Sequence, residues 1–309
     1  MKIKVMSGIT AIGLPVLAPT FARILNTIPG VEAEFLQPES ISTVNWNEID
    51  AVWNIGFFFD IDCFFDWLKA LYPQVKTVNT WVGTDILNAV QWFRQRAKCY
   101  RCALRGIDIH VADGLNLVQE LRESLSLESQ YVPSVPEPIP FSSHIMDATR
   151  VAVYAPAHRK EFYRHQVAVE VARLEPAMHF DFYSITPDND FPSLPNCEFK
   201  GFLQGNEKLE AFKNSSYLIV LPEHGSVSMT LIEFMMMGRR VISNIDAPFV
   251  YLVKEPVTPE NVREQLKKAR IDTLAKGANE EASKHYHIQY GFKAVAKHIE
   301  PILKELESS

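Results

Sequence analysis

The sequence predicts an α/β protein of two domains, each a parallel sheet with helices on both faces. Three observations predict it. Short apolar runs alternate with longer stretches of helical spacing; a proline-rich segment interrupts them near mid-chain; and the same alternation then begins again. A length of 309 residues fits that division, at about 150 residues for each domain. Hydrophobic residues make up 47% of the chain, enough to fill two cores.

In the first half, Ile3 to Met6 alternates like a buried strand rather than a signal peptide. A glycine-bearing turn follows, then a helix over Pro19 to Thr27. Ala51 to Ile55 is the next buried strand. Phe64 to Leu71 has helical spacing and stops before Pro73, since proline biases its predecessor to extended geometry. Val75 to Thr80 reads as a strand, Ile86 to Ala103 as a helix, and Ile107 to Val111 as a strand. Leu115 to Leu125 is a helix, and Tyr131 to Val132 begins a short last strand. The stretch VPSVPEPIPFSS then holds four prolines in twelve residues, so it is a linker.

In the second half, Val151 to Tyr154 is a strand, Phe162 to Leu174 a helix and Phe180 to Ile185 a strand. Cys197 to Phe202 is extended, Asn206 to Asn214 helical, and Tyr217 to Leu221 a buried strand. Thr230 to Met237 is a helix, Val241 to Ser243 a strand, and Pro259 to Ala269 a helix. The tail from Tyr290 to Leu306 again has helical spacing. The expected domains are therefore residues 1–137 and 148–288, with a closing helix over 289–309. Ligands of such open sheets bind at the carboxyl ends of the strands.

A net charge of −6 argues against a general electrostatic grip on nucleic acid. Four scattered cysteines make no disulfide framework, which points to a reducing, cytoplasmic setting. No run of eighteen apolar residues is free of charges or breakers, so no membrane span is expected. Cys99-Tyr-Arg-Cys102 has metal-like spacing, but no second pair completes it.

One segment carries chemistry. YLIVLPEHGSVSMTLIEFMMMGRRVISN reads as strand, glycine-containing loop, helix, glycine stop and strand. Gly225 lacks a β-carbon, so a ligand can approach the backbone there. The helix start near Ser228, Met229 and Thr230 directs N–H groups and the positive dipole end at the loop, a geometry suited to phosphate. Glu233 follows, where its carboxylate can accept both hydroxyls of a ribose. Gly238 ends the helix. The same pattern also describes an ordinary βαβ unit with a surface glutamate.

The segment resembles the C-terminal signature of retaining GT-B glycosyltransferases of the glycogen-synthase-like group, also called glycosyltransferase group 1 or family 4. That signature runs Pro-Ser-x-x-Glu-Gly-Phe-Gly and then Leu-Glu-Ala-Met-Ala-x-Gly-x-Pro-Val-Ile. Its second half is matched by Ile232-Glu233-Phe234-Met235-Met236-x-Gly238-Arg239-Arg240-Val241-Ile242. The resemblance implies that Glu233 binds the nucleotide ribose. The family's first glutamate falls eight residues earlier, where this chain has Gly225; Glu223 and His224 stand ten and nine residues before Glu233. Either of them is a stand-in through a longer loop.

Further echoes extend the resemblance. The family's arginine and lysine on the diphosphate fall on Arg159 and, five residues on, Arg164, with Lys160 as a substitute; basic residues of a solvent-facing helix would look the same. EFKGFLQGNEKLEAF is similar to a segment that packs on the base, so Phe202 to Gln204 are candidates for backbone contacts. TVNTWVGTDIL resembles a His-Gly-Ser/Thr-Asp segment with Val82 replacing the histidine. Asp85 there is a helix cap, a site residue or both. Gly8 and Gly13 match a first loop over the donor phosphates, or form a plain tight turn.

What the resemblance implies is a GT-B fold: two facing Rossmann-like domains whose last helix crosses back to the first. The implied activity moves a sugar from a nucleotide-diphosphate sugar to an acceptor, with retention. Guanidinium groups would neutralise the leaving group, so no metal or other cofactor is expected. The acceptor is open among glycan, lipid-linked sugar, small molecule and modified base. A GT-B nucleotide-sugar epimerase and a non-catalytic GT-B-like binding protein are the alternatives.

Overall fold

The computed structural model describes residues 1–7, 17–57, 62–95, 104–145, 147–154, 156, 159–184, 194–203 and 205–308. The chain forms two compact units, Met1–Glu137 with Gln289–Ser309, and Pro138–Ile288. The first unit runs β1 (Lys2–Ser7), α1 (Leu17–Leu25), β2 (Glu32–Phe35), two 3-10 turns, β3 (Ala51–Ile55), α2 (Asp62–Leu71), β4 (Lys76–Trp81), α3 (Thr84–Gln95), β5 (Ile109–Ala112), α4 (Leu115–Leu125) and β6 (Gln130–Tyr131). The second holds β7 (Arg150–Tyr154), α5 (His165–Leu174), β8 (His179–Tyr183), β9 (Cys197–Gly201), α6 (Gly205–Lys213), β10 (Tyr217–Val220), α7 (Met229–Met236), β11 (Arg240–Ser243), β12 (Tyr251–Leu252), α8 (Pro259–Lys276) and α9 (Glu280–Tyr290). The last helix, α10 (Phe292–Ser308), belongs to the first unit.

Each unit is built on a six-stranded sheet, ordered β2-β1-β3-β4-β5-β6 in the first and β12-β11-β10-β7-β8-β9 in the second. The pairings are parallel. Helices cover both faces, so central strands carry apolar residues on both sides; β3 and β10 are buried at every position. Some polar groups in these strands pair between neighbours. Asn54 on β3 donates to Asn79 Oδ1 on the adjacent strand at 2.6 Å and to Gly56 O at 2.7 Å. Trp53 Nε1 donates to Thr80 Oγ1 at 2.8 Å.

The closing helix packs on the first unit for a reason visible in its spacing. Val295, Ile299, Ile302, Leu303 and Leu306 fall on one face and join the core that holds Phe21 and Ile24 of α1. Gln130 donates to Glu305 at 2.7 Å beside that contact.

Several boundaries depart from expectation. α1 begins two residues earlier than read, and α8 runs on to Lys276, burying Thr273 on its way, until Gly277, at φ +68°, ends it. α5 starts at His165 rather than Phe162, because Arg164 takes a left-handed conformation, φ 49°, at its N-cap. The edge strands β2 and β12 and helix α9 were not expected. The reading of a helix to Ala103 follows α3 only to Gln95; residues 96–103, with Cys99 and Cys102, lie outside the described residues, as does Ile185. Among the described residues no helix is long and apolar enough to cross a membrane.

The proline-rich linker divides between the units at Glu137 and Pro138. Arg239 holds the second part. Its guanidinium is buried and donates to Ser142 O at 3.2 Å, Ser142 Oγ at 3.3 Å, His144 O at 2.9 Å and Lys213 O at 3.0 Å. Lys213 O ends α6, so the cation also meets the negative pole of a helix. Burial holds the guanidinium below its ordinary pKa, and the carbonyl bonds partner its two terminal nitrogens.

Asp85 does comparable work in the first unit. It is completely enclosed, in the first turn of α3. Its carboxylate accepts the N–H groups of Phe57 at 2.9 Å, Val82 at 3.0 Å and Ile86 at 3.0 Å, tying the end of β3 to the turn after β4. Burial pushes its pKa up to about 7, against these three bonds.

Two stability predictions follow from these anchors. Asp85→Ala leaves three buried N–H groups without an acceptor and lowers unfolding free energy by about 3 kcal/mol in urea titrations. Because the folded pKa lies above the ordinary 3.8, Asp85's pH-linked stability is complete below that value and lost as pH rises through about 7. The penalty of the substitution should therefore shrink between those pH values; a constant penalty would contradict the enclosed carboxyl. Arg239→Met strands the carbonyls of Ser142, His144 and Lys213 and should cost about 2–4 kcal/mol in the same titration.

Candidate functional site

The sheet of the second unit reverses its order at one place. From β7 the chain moves outward through β8 and β9; from β10 it moves the other way through β11 and β12. Connections leaving β7 and β10 therefore part at their carboxyl ends, which is where open α/β sheets hold ligands. β7 ends at Tyr154, and Arg159, Lys160 and Arg164 lie in the connection to α5. β10 is followed by Pro222 and the loop Glu223 to Ser228.

Backbone bonds join these two connections. Glu223 N donates to Phe162 O at 2.8 Å. Pro222 O accepts from Asn244 Nδ2 at 2.8 Å and from Arg164 Nη1 at 3.4 Å, while Arg164 Nη2 meets Glu255 Oε1 at 3.1 Å. Arg164 is thus tied into the wall of the site. Tyr154 and Tyr163 meet edge to face at 5.2 Å. Burial raises the pKa of both phenols, and the nearby Arg159 charge opposes that shift.

The loop then turns into α7. Gly225 has φ +141°, and a methyl group there would meet no atom within 4 Å, so the backbone faces open space. Ser228 is the N-cap, its Oγ accepting Leu231 N at 3.3 Å. Met229 and Thr230 open the helix ahead of the intrahelical ladder, with N–H groups at its positive end. Gly238, φ +75°, closes it: Gly238 N bonds Met235 O at 2.9 Å and Arg239 N bonds Phe234 O at 2.9 Å, the paired bonds of a Schellman turn. A methyl group at Gly238 would lie 2.5 Å from the Phe141 ring.

Between those caps α7 is buried from Leu231 to Met236, and Glu233 is its one charged residue. The side chain is almost wholly enclosed. Oε1 accepts Lys208 Nζ at 2.6 Å; Oε2 is buried and has no hydrogen-bond partner among the described residues. Burial raises the Glu233 pKa, and the Lys208 charge and hydrogen bond work against it. Lys208 comes from α6, its ammonium 5.7 Å from the Phe212 ring centroid, and Phe212 packs on Phe234 of α7 at 4.6 Å.

The expected residues are thus brought together unequally. Arg159, Arg164, Glu223, His224, Gly225, Ser228, Met229, Thr230 and Glu233 belong to the two connections and the helix at the reversal. Glu223 is exposed and His224 half-buried. Phe202 is exposed just past β9, at the far edge of the sheet, and Gln204 lies outside the described residues. Asp85 is enclosed in the other unit. Gly8 and Gly13 lie outside the described residues. The sequence reading missed Lys208, Asn244 and Tyr154. A phenol ending the apolar run VAVY was a usable signal for Tyr154; nothing in GNEKLEAF announces that Lys208 meets a residue 25 positions on.

Among the described residues, His179, Asp181 and Glu198 form one group with metal-ligating atoms in reach of each other. Arg150 and Lys200 already answer those carboxylates, so cations of the chain fill the place of an ion. Two Asp-x-Asp triplets, residues 60–62 and 188–190, occur in the sequence, and apart from Asp62 at the start of α2 they lie outside the described residues.

No protein-family model and no curated protein matches the chain. Solved structures do. Sucrose-phosphate synthase from Thermosynechococcus elongatus aligns with a TM-score of 0.71 at 11% identity over 100% of each chain. TarM of S. aureus, in complex with fondaparinux, α-GlcNAc-glycerol and UDP, aligns at 0.62 and 10% identity, covering 88% of this chain and 58% of its own. This chain therefore spans little more than half the length of that relative. UDP-GlcNAc 2-epimerase from Neisseria meningitidis, bound to UDP-GlcNAc, aligns at 0.57 and 13% identity over 99% of this chain and 100% of its own. At these identities the likeness is one of fold: the chain has the GT-B fold, two Rossmann-like α/β units with the closing helix returned to the first.

Proposed function

We propose that the chain is a glycosyltransferase that binds a nucleoside-diphosphate sugar in its second unit and passes the sugar to an acceptor. One observation carries the reading. Glu233 keeps a buried oxygen without a partner at the reversal of the sheet, one helical turn beyond a positive helix end. A buried carboxylate oxygen left this way has lost water and gained nothing in return, unless a ligand donates to it. Ribose hydroxyls are donors of the right kind, and the diphosphate then falls towards the N–H groups of Met229 and Thr230.

Chemistry at the leaving group follows from that placement. Breaking the bond between sugar and diphosphate releases negative charge on the phosphate oxygens. The start of α7 and Arg159 would stabilise that charge, with Arg164 contributing once freed from Glu255. Retention of configuration and independence of metal belong to this proposal. UDP is bound by TarM and UDP-GlcNAc by the epimerase, which makes uridine donors the first to try.

A second reading is epimerisation: the epimerase, like sucrose-phosphate synthase, matches this chain end to end, so length does not separate the two activities. Incubation with UDP-, GDP- and ADP-sugars separates the readings. Nucleotide release that rises with an acceptor supports transfer, an isomerised sugar nucleotide supports epimerisation, and binding without turnover supports a binding protein. The transferase should keep its rate in EDTA; loss restored by a divalent ion overturns the metal-independent step. Glu233→Ala should weaken nucleoside-diphosphate binding at least tenfold in calorimetry while the variant still unfolds cooperatively. Unchanged affinity would sink the ribose assignment.

A further inference from the structure

The pairing of Lys208 with Glu233 goes beyond the ribose reading and rests on it. Both residues sit at the interface of α6 and α7, yet their surroundings differ. The Glu233 side chain is 4% exposed, whereas that of Lys208 is 26% exposed. The ammonium keeps part of its hydration and the carboxylate keeps almost none. Such a pair is asymmetric: the enclosed carboxylate depends on the lysine to offset its burial.

We propose that Lys208 is a positioning residue for ribose recognition: its ammonium pins Glu233 Oε1 and presents Oε2 as the charged acceptor for the nucleotide's hydroxyls. The 2.6 Å bond accounts for Oε1, and the absence of a partner on Oε2 is what remains. Tilted packing of Phe212 against Phe234 sets the spacing of the two helices and so the reach of the lysine. A point charge on a flexible stem suits this task, since it follows the carboxylate without claiming both oxygens as a guanidinium fork would.

The groups around Glu233 give the pH dependence its sign. Lys208 faces it from α6, and Tyr154 at the end of β7 is near enough that the Glu233 charge helps to raise the phenol's pKa. α7 has no other charge. Tyr217 and Arg240 open β10 and β11 at the opposite end of the sheet, with Arg240 bound to Gly277 O. His287 of α9 is bound to Ser283 O and Ile139 O. Burial raises the Glu233 pKa and Lys208 lowers it. Without the lysine the carboxyl stays protonated to higher pH, and a protonated carboxyl is a poorer acceptor for two hydroxyls.

The test uses the full chain with UDP, and with GDP and ADP in parallel. Lys208→Met should bind at least tenfold more weakly at pH 7, and its affinity should fall away at a higher pH than that of the wild type as the solution is acidified. Lys208→Arg should restore most of the affinity. Lys208→Gln, which keeps a donor and loses the charge, should behave like the methionine variant and serves if that variant does not fold. Infrared difference spectra, with Glu233→Gln as the reference, should show the protonated-carboxyl band persisting to higher pH in Lys208→Met than in the wild type. Wild-type affinity and pH profile in Lys208→Met, or a band that persists no higher than in the wild type, overturns the inference. A wild type that binds none of the three nucleotides while the band behaves as stated overturns the ribose reading and leaves the Lys208–Glu233 coupling standing.

Discussion

A doubly wound parallel sheet has one place that its own connections cannot cover. In the second unit that place is the carboxyl end of β7 and β10, where successive connections leave in opposite directions. Everything in the candidate site follows from it. Two loops that the sequence separates by some sixty residues become neighbours there, joined through Glu223 N and Phe162 O. The first residues of α7 point at the same opening. Glu233 is carried to it by a helix that is otherwise apolar and buried, so its position is fixed by packing rather than by a mobile loop.

Behind the site, within the second unit, one buried cation holds this arrangement by meeting backbone. Arg239 gathers carbonyls from the linker and from the end of α6. In doing so it fixes the helix that carries Lys208. Gly238 beside it permits the turn that brings Arg239 inward, and Phe141 fills the space a larger residue would need. The sequence Gly238-Arg239-Arg240 is therefore a structural clasp behind the site, one step removed from any ligand.

Much of the fold could be read from the sequence because the signals are periodic and local. Runs such as Ala51 to Ile55 and Tyr217 to Leu221 are buried on both faces, and α10 repeats its apolar face over several turns. β2 escaped because Glu32 and Glu34 make a four-residue edge strand look polar, and β12 because two residues have no period. α9 escaped because its buried residues are few and scattered among charges. Within the site, the helix start and Glu233 were legible from their spacing. Lys208 was not, since a tertiary pair between helices leaves no trace in either segment alone.

The chain buries two carboxylates in similar places, each in an early turn of a helix that follows a central strand, and treats them differently. Asp85 accepts three backbone N–H groups that use both of its oxygens, so nothing remains for a ligand to satisfy. Glu233 is given one cation on one oxygen, and the other is left bare. Enclosure alone therefore does not tell these two carboxylates apart; what their oxygens accept does. An acceptor whose demand is met by the backbone holds the fold together, and one whose demand is left half met is incomplete until something donates to it. On that ground the helix start in the second unit, and not the one at Asp85, leaves a buried acceptor that a ligand can satisfy.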